Sequence, residues 1–346
     1  MAELVDVFNN DAFSMASMTT AIETAPSQPR QLKDAGMFVS EPARSNIVAV
    51  EYRNGKFQIA PVDNRGDVIS TDNDDDRVIR YIETKRVAKH TRLNASSLQF
   101  VTQFGSDLTR VVAEVQTEIA RRQTGPTGLM SQCENTLELM RLGALKGKVL
   151  APSGRTIWDF FAEFDITESP LIYLDIATLV DGNLREAIES QIVRPMQRRA
   201  AGLIFDVVDC WVGEEAWDTL MKNAEFRATY LATPAADRLR EGTLGRVVTF
   251  AGVNFREYFG ADDGASINLG ADEMVFSPAG ETGMYQHIKS PGEGFSDLGS
   301  LGKDWYSYTV MDPEGLERFV DLYVMTYPGF FNTRPDMVQR ASSRAS

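Results

Sequence analysis

The segment from Gly36 to His90 constrains the fold most, because it is patterned for strands yet carries too few bulky residues for a core of its own. In "IVAVEYRNGKFQIAPV", Val48, Val50 and Tyr52 alternate before Asn54-Gly55, and Phe57 and Ile59 alternate after it. That dipeptide supplies the positive φ angles of a two-residue turn, so a β-hairpin is expected. A second extended piece, "DRVIRYIETKRVAKH", returns from an acidic run. A two-stranded excursion is marginal in water, so something outside it must hold it.

The preceding residues sharpen the problem. Residues 1 to 35 lack long apolar runs and end in "TAPSQPRQL", where Pro26 and Pro29 favour an extended path. Such an arm gains little by folding on its own body, and is expected either to be disordered or to lie on a neighbouring molecule.

From Ser106 to Lys146 the apolar period is helical. Leu108, Val111, Val112, Val115 and Ile119 form one stripe, "TGPTG" interrupts, and Cys133, Leu137, Met140, Ala144 and Leu145 form another. Gly147 stands where a helix C-cap belongs, and "KVLAPSGRTIWDF" then reads as two short strands around Pro152-Ser153-Gly154. An amphipathic helix is expected near 181 to 201, with Leu184, Ile188, Ile192 and Met196 inward and a kink at Pro195. "GLIFDVVDCWV" reads as a strand and residues 214 to 223 as a short helix. "GRVVTFAGVNFREY" and "INLGADEMVFSP" read as strands and "GLERFVDLYVMTY" as the last strand, joined by Gly- and Asp-rich loops.

Composition narrows the chemistry. A chain of 346 residues is long enough for two lobes or one lobe with long excursions, and its net charge of -14 argues against a surface built to grip phosphates. Cys133 and Cys210 are too few for a disulfide framework or a cysteine zinc site, which fits a reducing cytoplasm. The N-terminus has no signal-peptide pattern, and no apolar run approaches the ~20 residues of a membrane helix, so soluble use is expected.

His90 and His287 are the two histidines and fall in different segments, each read as a surface or loop residue, so histidine-based catalysis or metal binding has little to draw on. "GSLGKD" at 299 to 304 departs from a phosphate loop at Asp297 and Asp304, and "GEGFSDLG" lacks the spacing of a dinucleotide fingerprint. Asp72, Asp74, Asp76 and Glu83 match positions 1, 3, 5 and 12 of a calcium loop, but Arg77 replaces its turn glycine and Arg80 opposes a cation. The preferred reading is a solvated hairpin tip, with those four carboxylates as a calcium candidate and no cofactor expected.

Parts that cannot bury themselves must be buried by copies of the same chain, which is the plan of a shell subunit. "RQLKDAGMF", "NIVAVEYRNGKFQIAPVDNRGD", "ENTLELMRLGALKGKVL" and "YPGFFNTRPDMVQRAS" together resemble the major capsid protein E family of phage lambda and its relatives. The resemblance runs in order over nearly the whole chain. Its most specific element is Thr136, Glu138 and Gly143 to Val149, supported by "TRPD" near the end.

The resemblance implies an α+β chain with the Hong Kong 97 capsid fold. It places an N-terminal arm at 1–35, an extended β-hairpin loop at 36–92, a peripheral domain with its spine helix at 93–170, an axial domain at 171–316 and a C-terminal return strand at 317–346. It further implies hexamers and pentamers closing an icosahedral head of a tailed bacteriophage around double-stranded DNA, without specific binding to it. Scaffold and portal proteins, and possibly a decoration protein, would be partners; no membrane would be. A non-viral nanocompartment shell of the same fold and an unrecognised enzyme are the alternatives, the last with no acid, base and nucleophile cluster behind it. Phe13, Asn54, Gly55, Asp74, Asp75 and Asp76 are the expected subunit contacts.

Overall fold

The computed structural model describes residues 31–53, 77–96, 108–125, 128–179, 183–200, 205–232, 247–260, 267–280, 283–316 and 318–345. A single helical turn, α1 (Gln31–Asp34), precedes strand β1 (Val39–Pro42), and a two-stranded ribbon follows as β2 (Ile47–Arg53) and β3 (Arg77–Glu83). The ribbon pairs antiparallel from Ile47↔Glu83 to Arg53↔Arg77. The Asn54-Gly55 turn lies outside the described residues. At the ribbon's root the Thr84 N–H donates to the Asn46 carbonyl at 2.9 Å, and Thr84 Oγ1 lies 2.9 Å from Ser290 Oγ. Ile82 is buried there, whereas Ile47 and Tyr81 remain exposed. Strand β4 (Val87–Asn94) leaves the ribbon for a separate sheet.

The helical stretch is divided at Gly125 to Gly128 into α2 (Leu108–Thr124) and α3 (Leu129–Lys146). Gly147 ends α3 in the left-handed conformation, φ 85°, donating its N–H back to the last turn. Two close approaches also explain the glycines of "GALKG". A Cβ at Gly147 would lie 2.5 Å from Phe161 Cε2, and one at Gly143 would lie 2.8 Å from both Lys148 O and Val149 Cα. Strand β5 (Lys148–Leu150) can therefore fold back against α3 and pair with β6 (Thr156–Asp159). Asp159 then accepts from the Phe161 and Ala162 N–H groups, capping α4 (Phe160–Glu163).

After β7 (Ile172–Tyr173) comes the expected amphipathic helix, with Leu184, Ile188, Ile192 and Met196 all buried. It runs as α5 (Asn183–Ile188), a π-turn (Glu189–Val193) and α6 (Arg194–Arg199). The irregularity at Pro195 takes the form of that π-turn, in which Arg194 N–H reaches Glu189 O. Strand β8 (Val208–Val212) is shorter than expected and buried throughout, and α7 (Glu214–Lys222) follows as predicted. Helix α8 (Ala224–Ala232) was not predicted. "GRVVTFAGVNFREY" divides into β9 (Val247–Phe250) and β10 (Val253–Glu257), paired antiparallel around Ala251 and Gly252, both at positive φ. Strand β11 (Glu273–Pro278) completes this region.

The remaining strands correct the expectation that "GLERFVDLYVMTY" is the last. Residues read as loops form β12 (Tyr285–Lys289) and β13 (Tyr306–Met311), and β14 (Phe319–Thr326) is followed by β15 (Pro328–Asn332) and β16 (Gln339–Ser342). These last three join three different sheets: β13-β14-β4, β1-β12-β15, and the six-stranded β7-β16-β11-β8-β10-β9. Strand β1 runs parallel to β12 and Leu32 of α1 is wholly buried, so Gln31–Asp34, expected from sequence to gain little by packing on its own subunit, is built into the body.

Two apolar cores result. One fills the space between the six-stranded sheet, α5 to α8 and Leu32. The other joins Leu129, Cys133, Leu137 and Met140 of α3 to Trp158, Phe160, Phe330, Phe331 and Ile82. Helix α3 belongs to both, because Leu142 and Leu145 face the first core. Gly147→Ala is expected to destabilise the unassembled subunit by about 1 to 3 kcal/mol, from left-handed strain plus collision with Phe161. Denaturant unfolding measures it, and an unchanged midpoint would contradict this account.

Candidate functional site: the junction around helix α3

Burying α3 on most sides takes Glu134, Glu138 and Arg141 out of water, at 1%, 3% and 4% exposure. Their spacing sets them on adjoining turns of one helix face. Glu138 Oε1 accepts the Leu32 backbone N–H of α1 at 2.9 Å, and Arg141 Nη1 approaches Glu138 Oε2 at 3.1 Å. Glu134 Oε1 pairs with Lys33 at 2.5 Å and lies 3.6 Å from Arg141 Nη2. The same Arg141 guanidinium lies 5.0 Å over the Phe330 ring. Glu138 of the sequence signature is therefore the carboxylate that fastens α1 to the interior helix.

A cavity of about 350 Å³ opens beside this cluster, bordered by Lys33, Ser40, Glu134, His287, Lys289 and Trp305 among others. His287, expected from sequence to be a surface or loop residue, instead sits half-buried within β12, its ring stacked on that of Phe330 with centroids 4.4 Å apart. Ser40 Oγ lies 3.4 Å from its Nδ1. Burial, with Arg141, Lys289 and Lys33 nearby, pushes the imidazole down to about 3. The 3.4 Å separation from Ser40 lies at the long end of a hydrogen bond. His90 is exposed on β4, stacked against Tyr323.

The other signature residues act at the far end of α3. Lys146 pairs with Glu273 at 2.7 Å, Glu273 with Arg340 at 2.8 Å, Arg340 with Glu168 at 3.1 Å, and Glu168 with Lys148 at 2.8 Å. This chain of charges ties α3 and β5 to β11 and β16. Burial alone would raise the Glu273 carboxyl, but Lys146 and Arg340 outweigh it and hold it below its ordinary value. In "TRPD", Arg334 meets Asp336 at 2.9 Å and donates to the Arg199 carbonyl at 2.9 Å, satisfying the end of α6. Arg199 itself is held by Ser169 at 2.6 Å and by the Asp336 carbonyl.

Of the residues singled out from sequence, Glu83 is described: it is exposed at the end of β3 and pairs with Lys85 at 2.7 Å. Phe13, Asn54, Gly55, Asp72, Asp74, Asp75 and Asp76 lie outside the described residues. Among the described residues no cluster of His, Cys, Asp or Glu is placed to hold a metal, and no helix is long and apolar enough to cross a membrane. The buried Glu134-Glu138-Arg141 cluster was missed as a group, although the i, i+4 and i+3 spacing of three charges within an apolar stripe could have flagged it.

The model of phage major capsid protein E matches residues 14–343. This chain belongs to that family. Its function is accordingly that of a phage major capsid protein, and membership implies self-assembly into a shell and a place in the virion. The fold also matches, at TM-score 0.55 and 14% identity, a crystal structure assigned as the capsid protein of a prophage of Escherichia coli CFT073, covering 99% of this chain and 98% of that one. The mature capsid of bacteriophage PhiM1 aligns at TM-score 0.49 with 14% identity, over 92% of this chain and 88% of that one. The cyanophage Pam1 capsid aligns at 0.49 with 11% identity, over 93% and 96%. No curated protein matches the chain.

For this capsid subunit the Glu273 network sets an acid limit. A depressed carboxyl contributes stability that is complete above its unfolded value near 4.5 and drains away as pH falls through the lower folded value. Glu273→Gln should cost about 2 kcal/mol at pH 7, by leaving Lys146 and Arg340 without their shared anion. It should also flatten the fall in stability below pH 4.5. Denaturant unfolding across pH 3 to 7 measures both, and parallel curves for the two proteins would contradict the assignment.

Proposed function

We propose that this chain builds the icosahedral head of a tailed bacteriophage as hexamers and pentamers, enclosing double-stranded DNA. It is made in the host cytoplasm and works with scaffold and portal proteins. Residues 1–35 carry the arm, its last turn Gln31–Asp34 anchored in the body, 36–92 carry the extended loop, 93–170 the peripheral domain, 171–316 the axial domain, and 317–346 the return to the peripheral domain. The observation carrying this reading is the family match from residue 14 to residue 343. The β2–β3 ribbon supports it, since that ribbon is fastened at Thr84 and Ile82 while Tyr81 stands exposed, as expected of an excursion finished by a neighbour.

A wall that holds packed DNA without gripping it suits an acidic chain, because basic patches would create salt-dependent attachment. In the basic cluster Arg194, Arg198 and Arg199, Arg199 is committed to Ser169 and the Asp336 carbonyl, and Arg194 lies 3.8 Å from Glu189. Unassembled subunits should therefore show no measurable affinity for duplex DNA near 150 mM salt, where the Debye length is about 8 Å. Micromolar binding with a steep salt slope in an anisotropy titration would contradict this.

The decisive experiment is electron microscopy of particles purified from cells producing the chain. Closed shells are expected from the full chain, and discrete small oligomers would overturn the reading. Deleting residues 1–30 should leave a folded subunit that fails to close shells. The cut stops there because Leu32 is wholly buried and Lys33 pairs with Glu134.

A further inference from the structure

The loop between β12 and β13 holds the two most exposed large apolar side chains among the described residues: Phe295 is 95% exposed and Leu298 75%. Phe295 opens a 3₁₀ turn (Phe295–Asp297) and Leu298 caps its end, so the two exposed side chains lie within a single turn of each other. Asp297 is turned inward, where the Tyr308 hydroxyl donates to its carboxylate at 2.8 Å. The loop is fixed along its length. Glu293 pairs with Arg86 at 2.7 Å, Arg44 donates to the Gly299 carbonyl at 3.0 Å, and Gly302 N–H donates to the Ala43 carbonyl at 2.9 Å. Asp304 closes the far side against Lys289 at 2.7 Å.

An apolar pair held out by so many ties cannot fold down onto its own subunit to escape water. A partner can cover it with little ordering cost, since the anchor is preorganised. Self-assembly of the family makes a second copy the occupant, and charge permits it. Copies carrying -14 each repel, and they can approach most closely where acids are already neutralised within the subunit. Glu293 and Asp304, which flank the apolar pair, are both ion-paired.

Resting on the shell reading above, we propose that Phe295 and Leu298 form a docking knob buried against a second copy of this chain in the assembled particle. The test places a cysteine at the exposed neighbour as Ser296→Cys and measures its alkylation before and after assembly of the chain alone. Cys133 and Cys210 are both buried, and burial pushes the Cys133 thiol up to about 12, so their background reaction is slow.

Alkylation at position 296 should slow at least about ten-fold in particles, as expected when a thiol loses solvent access. Phe295→Ser with Leu298→Ser should leave the subunit's melting unchanged and raise the concentration needed for assembly about ten-fold or more. Shells that form while position 296 stays equally reactive overturn this inference and leave the capsid reading intact. Protection only when other head proteins are added assigns the knob to a different partner and overturns it too. If the full chain forms no particles, both readings fall.

Discussion

A helix buried on nearly every side must satisfy its charges inside the protein, and the rest of this subunit is arranged around how α3 does so. Glu134, Glu138 and Arg141 each lack access to water. Removing one partner of such a group strands another charge, at about 3 to 5 kcal/mol. The partners come from distant parts of the chain: Leu32 and Lys33 from α1, and Phe330 from β15. The charges thus fix which segments meet at α3, where apolar contact alone would tolerate several arrangements.

The other end of α3 imposes a backbone constraint. Gly147 must be left-handed and Gly143 must admit β5 within contact of the helix backbone. Both conditions place Lys146 and Lys148 to either side of the turn, where they reach Glu273 and Glu168 in one connected set of ion pairs. That set holds β11 and β16 in register beside the helix end. Consecutive strands β14, β15 and β16 enter three separate sheets, so much of the final architecture depends on pairings between residues far apart in sequence. Such topologies form slowly, because loop closure precedes the contacts that reward it.

Local signals made α3 readable: a 3.6-residue period, an interrupting "TGPTG" and a glycine stop have short-range causes. The same holds for the β5–β6 hairpin at Gly154 and the inward stripe from Leu184 to Met196. The strands that were missed lack local causes. Strand β15 is buried at every position, which erases alternation, and it opens with Pro328-Gly329, normally read as a turn. Strand β12 lies between β1 and β15, with partners supplied by distant segments. Helix α8 did leave a signal: Asn223 accepts from the Glu225 and Phe226 N–H groups, an N-cap visible as Asn followed by Glu. Its closeness to the end of α7 hid it. The Glu134-Glu138-Arg141 cluster was legible as spacing but not as burial, since the burial comes from two cores that meet only in three dimensions.

Helix α1 ties these parts together. Gln31 donates through Nε2 to the Glu257 carbonyl at 3.0 Å and accepts the Phe259 N–H at 2.9 Å, Leu32 is buried against the first core, and Lys33 holds Glu134. One helical turn is thereby bound both to the end of β10 and to α3. That clamp joins the end of β10 to the helix shared by both cores.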